Sequence, residues 1–186
     1  QYLPLYELSY NDYQMIMRSF AEVFPDCIVF FTGFDTILLG AKNNKSLDLP
    51  IASEKFEIKE VKNSLAEIGF DSPEMLLSMF VARLSDKNKI WDAGDLNTDN
   101  RPHIEFSAPK STFHYTPAQN QAVLLKHYSS IPNELIEQLT LKQREDVLMA
   151  HKAMKILLEA NIEQSKASDK ITQLPSEEIL YNVTRK

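Results

Sequence analysis

Two short apolar runs separated by a turn restrict the folds open to this chain more than any other feature. Cys27-Ile28-Val29-Phe30-Phe31 is rich in β-formers, Gly33-Phe34-Asp35 supplies a turn, and Thr36-Ile37-Leu38-Leu39 reads as a second strand. Neither run alternates between apolar and polar residues, so the pair is expected to be a hairpin buried on both faces in the middle of a covered sheet. Two strands alone are marginally stable. The hairpin must therefore join strands supplied elsewhere in the fold.

Helical patterns surround it. Ser9 followed by Asp12 is a start signal, and Tyr13, Ile16, Met17, Phe20, Val23 and Phe24 then recur on one helical face before Pro25. Residues 42–50 are polar and end in Pro50, after which Ile58, Val61, Leu65 and Ile68 mark a helix closed by Gly69. Asp71-Ser72-Pro73-Glu74 restarts the chain, and Met75, Leu76, Met79, Phe80 and Leu84 are expected on the inner side of the next helix, the methionines as core filler. A polar loop over residues 92–102 leads into an expected strand, Ile104-Glu105-Phe106, ending before Pro109. Helices are expected to open at Thr116-Pro117, at Ile131-Pro132 and at Thr140, where Gln143 completes a cap. The last carries Val147, Ala150, Met154, Leu157 and Leu158 on its apolar face. From Gln164 to Pro175 the periodicity fades, which predicts a mobile tail with one further helical turn near Ile179.

Composition narrows the function classes. With 44% hydrophobic and 25% charged residues the chain has the makings of a folded core. A net charge of −6, with Lys and Arg scattered, lacks the basic stripe that neutralises phosphates, so no nucleic-acid partner is expected. The longest apolar stretch is far shorter than a membrane span, and no signal-peptide pattern opens the chain. A single cysteine, Cys27, excludes an internal disulfide and suits a reducing, cytoplasmic setting, against which two glycosylation triplets at Asn44 and Asn182 weigh little. The opening Gln1-Tyr2-Leu3-Pro4 without an initiator methionine suggests an excised segment.

Site signals are sparse. Four glycines, at 33, 40, 69 and 94, cannot write a dinucleotide fingerprint or a phosphate loop. His103, His114, His127 and His151 have no ligand spacing, so no metal is expected and structural roles are favoured. No serine sits in a nucleophile elbow. The one polar cluster of interest is Asn97 to Arg101, with a carboxylate, a guanidinium and two amides within five residues; the plainer reading is a turn clasped by Asp99 and Arg101.

Several stretches carry a resemblance. The opening Gln1-Tyr2-Leu3-Pro4-Leu5-Tyr6-Glu7-Leu8, the helix end Phe20-Ala21-Glu22-Val23-Phe24-Pro25, the hairpin, and Leu96-Asn97-Thr98-Asp99-Asn100-Arg101-Pro102-His103-Ile104-Glu105-Phe106-Ser107-Ala108-Pro109 occur in that order. Together they resemble the C-terminal part of the spermidine synthase-like proteins, over residues 1 to about 113. In bacteria these often carry an integral membrane portion ahead of the synthase-like domain.

The resemblance implies an α/β fragment: the C-terminal part of a methyltransferase-like Rossmann domain (residues 1–115), with a helical insertion over about 46–94, followed by a helical extension (116–186). Family members move an aminopropyl group from decarboxylated S-adenosylmethionine to an amine. Their glycine-rich loop, ribose-binding acid and catalytic acids would all precede this chain, so no catalytic residue and no cofactor is expected within it. Gln1, Asn97, Thr98, Asp99 and Arg101 match family positions towards the substrate and are the implied binding residues. The expected partners are the upstream part of the same polypeptide, a membrane domain in cis and a second copy of the chain; the expected location is the cytoplasm, as the soluble part of a membrane protein. The competing expectation is a non-catalytic helical docking module with a vestigial synthase-like core.

Overall fold

The computed structural model describes residues 1–42, 47–84, 94–111 and 117–172. Among these, four strands form one sheet: β1 (Tyr2–Pro4), β2 (Ile28–Phe31), β3 (Asp35–Leu39) and β4 (Phe80–Arg83), in the order β1-β3-β2-β4 with every neighbouring pair antiparallel. The hairpin forms as expected, with Ile28 opposite Leu39 and Phe31 opposite Thr36. It recruits one strand on each side. Because β3 runs against both β1 and β2, those two strands point the same way, and the helix α1 (Tyr10–Val23) that joins them is the crossover of a split βαβ unit.

Side chains alternate along β2, which explains its unbroken apolar text. Val29 and Phe31 enter one core with Leu3, Leu5, Tyr13, Met17, Leu124 and Leu158, while Ile28 and Phe30 enter a second with Leu49, Leu77, Phe80, Leu135 and Val147. Both faces of β2 are therefore covered. β3 departs from the expectation, because Thr36 and Leu38 are buried but Leu39 is 45% exposed. It lies nearer the edge, where the tip of the strand outruns its cover.

Local signals place α1. Ser9 is its N-cap: its Oγ accepts the Asp12 N–H at 3.1 Å and donates to Asp12 Oδ2 at 2.8 Å. Within the core, the hydroxyls of Tyr13 and Thr36 share a hydrogen bond of 3.0 Å. Cys27 is fully buried, and desolvation, assisted by the charge of Asp26, pushes its thiol up to about 12.

The segment 47–84 holds α2 (Leu49–Phe56), α3 (Lys59–Ala66), a 3-10 helix (Pro73–Met79) and then β4. The helix expected to run through Phe80 and Leu84 is corrected: it is 3-10 in form and stops at Met79. From there Phe80, Ala82 and Arg83 pair with β2, opposite Phe30, Val29 and Ile28. A long-range ladder with a buried strand outweighs continuation of a short helix. The strand expected over Ile104–Phe106 is also corrected, since these residues lie in α4 (His103–Ser111).

The C-terminal helices are α5 (Pro117–His127), α6 (Asn133–Ile136) and α7 (Leu141–Thr172). Thr140 and Gln143 form the expected cap: Thr140 Oγ1 donates to Gln143 Oε1 at 2.8 Å, and Thr140 N–H donates to the same oxygen at 3.0 Å. The fading periodicity after Gln164 did not end the helix, which continues to Thr172 with Ile162 and Ser165 buried; the turn expected near Ile179 lies outside the described residues.

α7 spans the two cores, with Val147 in one and Leu158 and Ile162 in the other. On the way it passes β4, and His151 Nε2 bonds the Phe80 carbonyl at 2.9 Å. The neighbouring Val81 carbonyl accepts both the Ser129 N–H at 2.8 Å and the Ser129 hydroxyl at 3.0 Å. The free edge of β4 is thereby closed to further strands. No described helix is long and apolar enough to cross a membrane.

Candidate functional site

Residues 94–111 lie along α1 as a strap, and three hydrogen bonds hold it there. Arg18 Nε donates to the Asp95 carbonyl at 3.1 Å. Gly94 adopts φ of 128°, and a Cβ at that position would come within 2.8 Å of the Arg18 guanidinium, so the close approach depends on glycine. Ser19 Oγ accepts the Asn97 N–H at 2.9 Å. Finally, the Ser107 hydroxyl donates a short hydrogen bond to Asp12 Oδ1.

The cluster Asn97 to Arg101 is a tight turn. Thr98 and Arg101 exchange backbone hydrogen bonds of 3.2 and 2.8 Å, which close it. Asn97 then caps α4, its Oδ1 accepting the Ile104 N–H at 3.0 Å. This cap explains why Ile104-Glu105-Phe106 turns helical. Asp99 and Arg101 are exposed at the turn, and among the described residues the clasp consists of backbone bonds, with no ion pair between the two side chains. Gln1 lies apart from this cluster. It extends the β1–β3 ladder, its backbone exchanging bonds of 2.8 and 2.7 Å with Leu38, while its exposed side-chain amide donates to the Tyr2 carbonyl at 2.9 Å. Of the five residues expected at the site, four thus share one turn, and Gln1 is held by the sheet.

Between the first turns of α1 and α4 lies a cleft of about 490 Å³ lined by Ser9, Asn11, Asp12, Met15, His103, Phe106, Ser107 and Lys110. Asp12 is only 3% exposed, yet each carboxylate oxygen receives a hydroxyl, from Ser9 and from Ser107. These bonds satisfy both oxygens of the buried side chain, and the one from Ser107 fastens α4 to α1. Phe106 stands 70% exposed at the rim. The cleft is shallow and presents both polar and apolar groups; among the described residues its lining contains no nucleophile–base pair. Among the described residues no group of three His, Cys, Asp or Glu is placed to hold a metal ion.

Sequence reasoning missed this cleft. The signal was present in the spacing of His103, Phe106, Ser107 and Lys110, which is one face of a helix, but it was hidden by reading the segment as a strand. Of the other histidines, His127 and His151 are buried on α5 and α7, and desolvation, aided by Lys126 and Lys155 respectively, lowers both below the usual imidazole range; the Phe80 carbonyl opposes this at His151. His114 lies outside the described residues.

No family model, no curated protein and no solved structure matches the chain.

Proposed function

We propose that this chain is the C-terminal part of a spermidine synthase-like protein whose intact form transfers an aminopropyl group from decarboxylated S-adenosylmethionine to a polyamine. The observation that carries the reading is the position of the strap. The strap that forms one wall of the cleft against α1 also carries Asn97, Thr98, Asp99 and Arg101, the residues that the resemblance implies for substrate binding. The split βαβ unit is compatible with the end of a larger Rossmann-type sheet whose remaining strands lie upstream.

In this reading Asp99 and Arg101 border the acceptor side, and the turn closed by Thr98 and capped through Asn97 sets their position. Asp99 supplies a carboxylate to hold an ammonium group; Gln1, at the amino end of β1 with its amide on the Tyr2 carbonyl, takes no part in this arrangement. The reaction itself forms a bond between the acceptor nitrogen and the aminopropyl carbon and breaks the carbon–sulfur bond. The sulfur keeps the electron pair, leaving methylthioadenosine, and the acceptor proton passes to a carboxylate upstream of this chain.

The test uses the full-length protein supplied with decarboxylated S-adenosylmethionine and a diamine. Release of methylthioadenosine is expected, and Asp99→Asn should raise the acceptor KM at least about tenfold with little change in melting temperature. Absence of release with diamines and longer polyamines would remove the enzyme reading. A second reading, a helical docking module, draws on one observation: Ile51, Ile58 and Ile68 of the insertion are at least half exposed (52%, 50% and 68%). Release of product from a protein lacking residues 47–70 would count against any catalytic need for that surface.

A further inference from the structure

The face of α7 turned away from both cores is apolar where a helix facing only water would be polar. Leu141, Leu148, Met149 and Ile156 are 77%, 44%, 70% and 57% exposed. At about 100° per residue they fall, together with the exposed Glu145 and Lys152, within one arc of about 100° along about 22 Å of helix. Val147 and Leu158, which enter the cores, lie on the other side.

The order of residues along this stripe selects what can cover it. Counted outward from Leu148 and Met149, the third residue each way is charged, Glu145 before and Lys152 after, and the seventh is apolar, Leu141 and Ile156. The apolar positions are mirrored and the charges are inverted. A second α7 laid antiparallel on the first, with the two-fold axis between Leu148 and Met149, therefore sets Glu145 against the partner's Lys152 and Lys152 against the partner's Glu145. Leu141 comes level with the partner's Ile156 at each end, and Leu148 and Met149 meet their equivalents in the middle. Parallel pairing in register would instead oppose like charges at both positions. Within one chain Glu145 and Lys152 are separated by about 10.5 Å of helix, and among the described residues neither takes part in an ion pair or a side-chain hydrogen bond. The like charges in the same span, Lys142 and Lys155, lie about 140° apart around the helix, on opposite flanks of the stripe.

A lipid surface fits the stripe less well, because Glu145 would enter it beside Met149 without a counter-charge. We propose that this face of α7 is the interface of a symmetric homodimer, in which the stripes of two chains pair antiparallel about Leu148 and Met149. The contact uses the same patch on both copies and closes on itself, so it ends at two chains rather than growing into a fibre. This interface goes beyond the proposed transferase reaction and does not depend on it.

Sedimentation equilibrium of the 186-residue chain is the test. The expected result is a reversible monomer–dimer equilibrium with a Kd below about 100 µM, the scale of a small helix–helix contact. Lys152→Glu sets like charges against each other at both symmetric positions and should weaken association at least about tenfold, as should Glu145→Lys. Exchanging both residues, Glu145→Lys with Lys152→Glu, restores both pairs and should restore the affinity, which a merely structural role for either side chain would not do. Met149→Glu changes an exposed position and should give a monomer whose melting temperature at low concentration is unchanged. A chain that shows no dimer at about 300 µM would overturn the inference, as would single charge variants that associate as tightly as the unaltered chain or a double exchange that fails to recover the lost affinity. A dimer that survives Met149→Glu would also overturn it, placing the contact on another face such as that of Ile58 and Ile68.

Discussion

Helices α3 and α7 advertise the same thing in sequence, an apolar stripe at helical spacing, and do opposite things in the fold. α7 drives Val147 and Leu158 completely out of water and buries Ile162 beside them, whereas α3 buries none of its eight residues and the flanking Ile58 and Ile68 stay at least half exposed. Periodicity identifies a face; it does not supply the surface that covers it. α7 has that surface because α5 and the 3-10 helix pack along it and because β4 offers its edge carbonyl to His151. α3 touches chiefly α2, itself a short helix. The C-terminal helices, which read as an appendage, are thus integral to both cores, and the middle of the insertion is peripheral.

The sharpest way to break this comparison is Leu158→Asp. Leu158 is fully buried in the core with Tyr13 and Phe31, so an unpaired carboxylate there should cost at least about 3 kcal/mol and leave the chain largely unfolded in urea titrations. A midpoint close to that of the unaltered chain would mean that α7 is an appendage after all.

Much of this contrast rests on partners distant in sequence, which is why only part of the fold was legible beforehand. The α1 cap at Ser9, the hairpin, the Thr140–Gln143 cap and the burial of Cys27 depend on neighbours within a few residues, and all were readable. Phe80–Arg83 depends on pairing with Ile28–Phe30, some fifty residues earlier, and its apolar text fitted a helix equally well. At the candidate site, the tight polar turn was legible as a turn. That Asn97 would cap a helix beginning at His103, and that Ser107 would reach Asp12, required the docking of the strap on α1. Gln1 shared a resemblance with the turn residues and no elementary geometry that would bring it to them.

A second, smaller effect is expected at Asn120, which ties α5 to the chain leaving β1. Replacing it with Leu removes the donor to the Leu5 and Leu8 carbonyls while keeping the volume similar, and should cost about 2 kcal/mol. Hydrogen exchange should then accelerate first in α5 and around Leu5. Uniform acceleration throughout the chain would indicate that this tie is not local to the α5 contact.

The tail also gives the comparison a dependence on pH. His127 and His151 have lowered pKa values in the folded chain, chiefly because burial disfavours the imidazolium. Above about pH 6.5, the ordinary histidine value, both folded and unfolded forms are neutral and the histidines contribute no slope. Below it the unfolded chain takes up protons that the folded chain resists, so stability should fall as the pH drops through that value towards the depressed folded pKa values. Changing His151 to Gln should flatten the stability profile between neutral and mildly acid pH. A slope unchanged by that substitution would place the acid sensitivity elsewhere.

The smallest effect is expected where the apolar stripe has no cover. Ile68 is 68% exposed and Val61 is 37% exposed, so little of the transfer energy of either side chain is realised in folding. Ile68→Asp leaves a charge in water rather than in a core, and surface changes of this kind move stability by no more than about 0.5 kcal/mol. Helix propensity is not at issue at Ile68, because the helix ends at Ala66 and Gly69 follows with φ of 82°. The unfolding midpoint of Ile68→Asp should therefore match that of the unaltered chain, in direct contrast to Leu158→Asp. A loss approaching that of Leu158→Asp would show that the insertion is packed in solution, and the difference drawn between α3 and α7 would have to be abandoned. A matching midpoint combined with a change in self-association, measured by sedimentation of the same two proteins, would keep the difference and show that the exposed stripe meets a second copy of the chain.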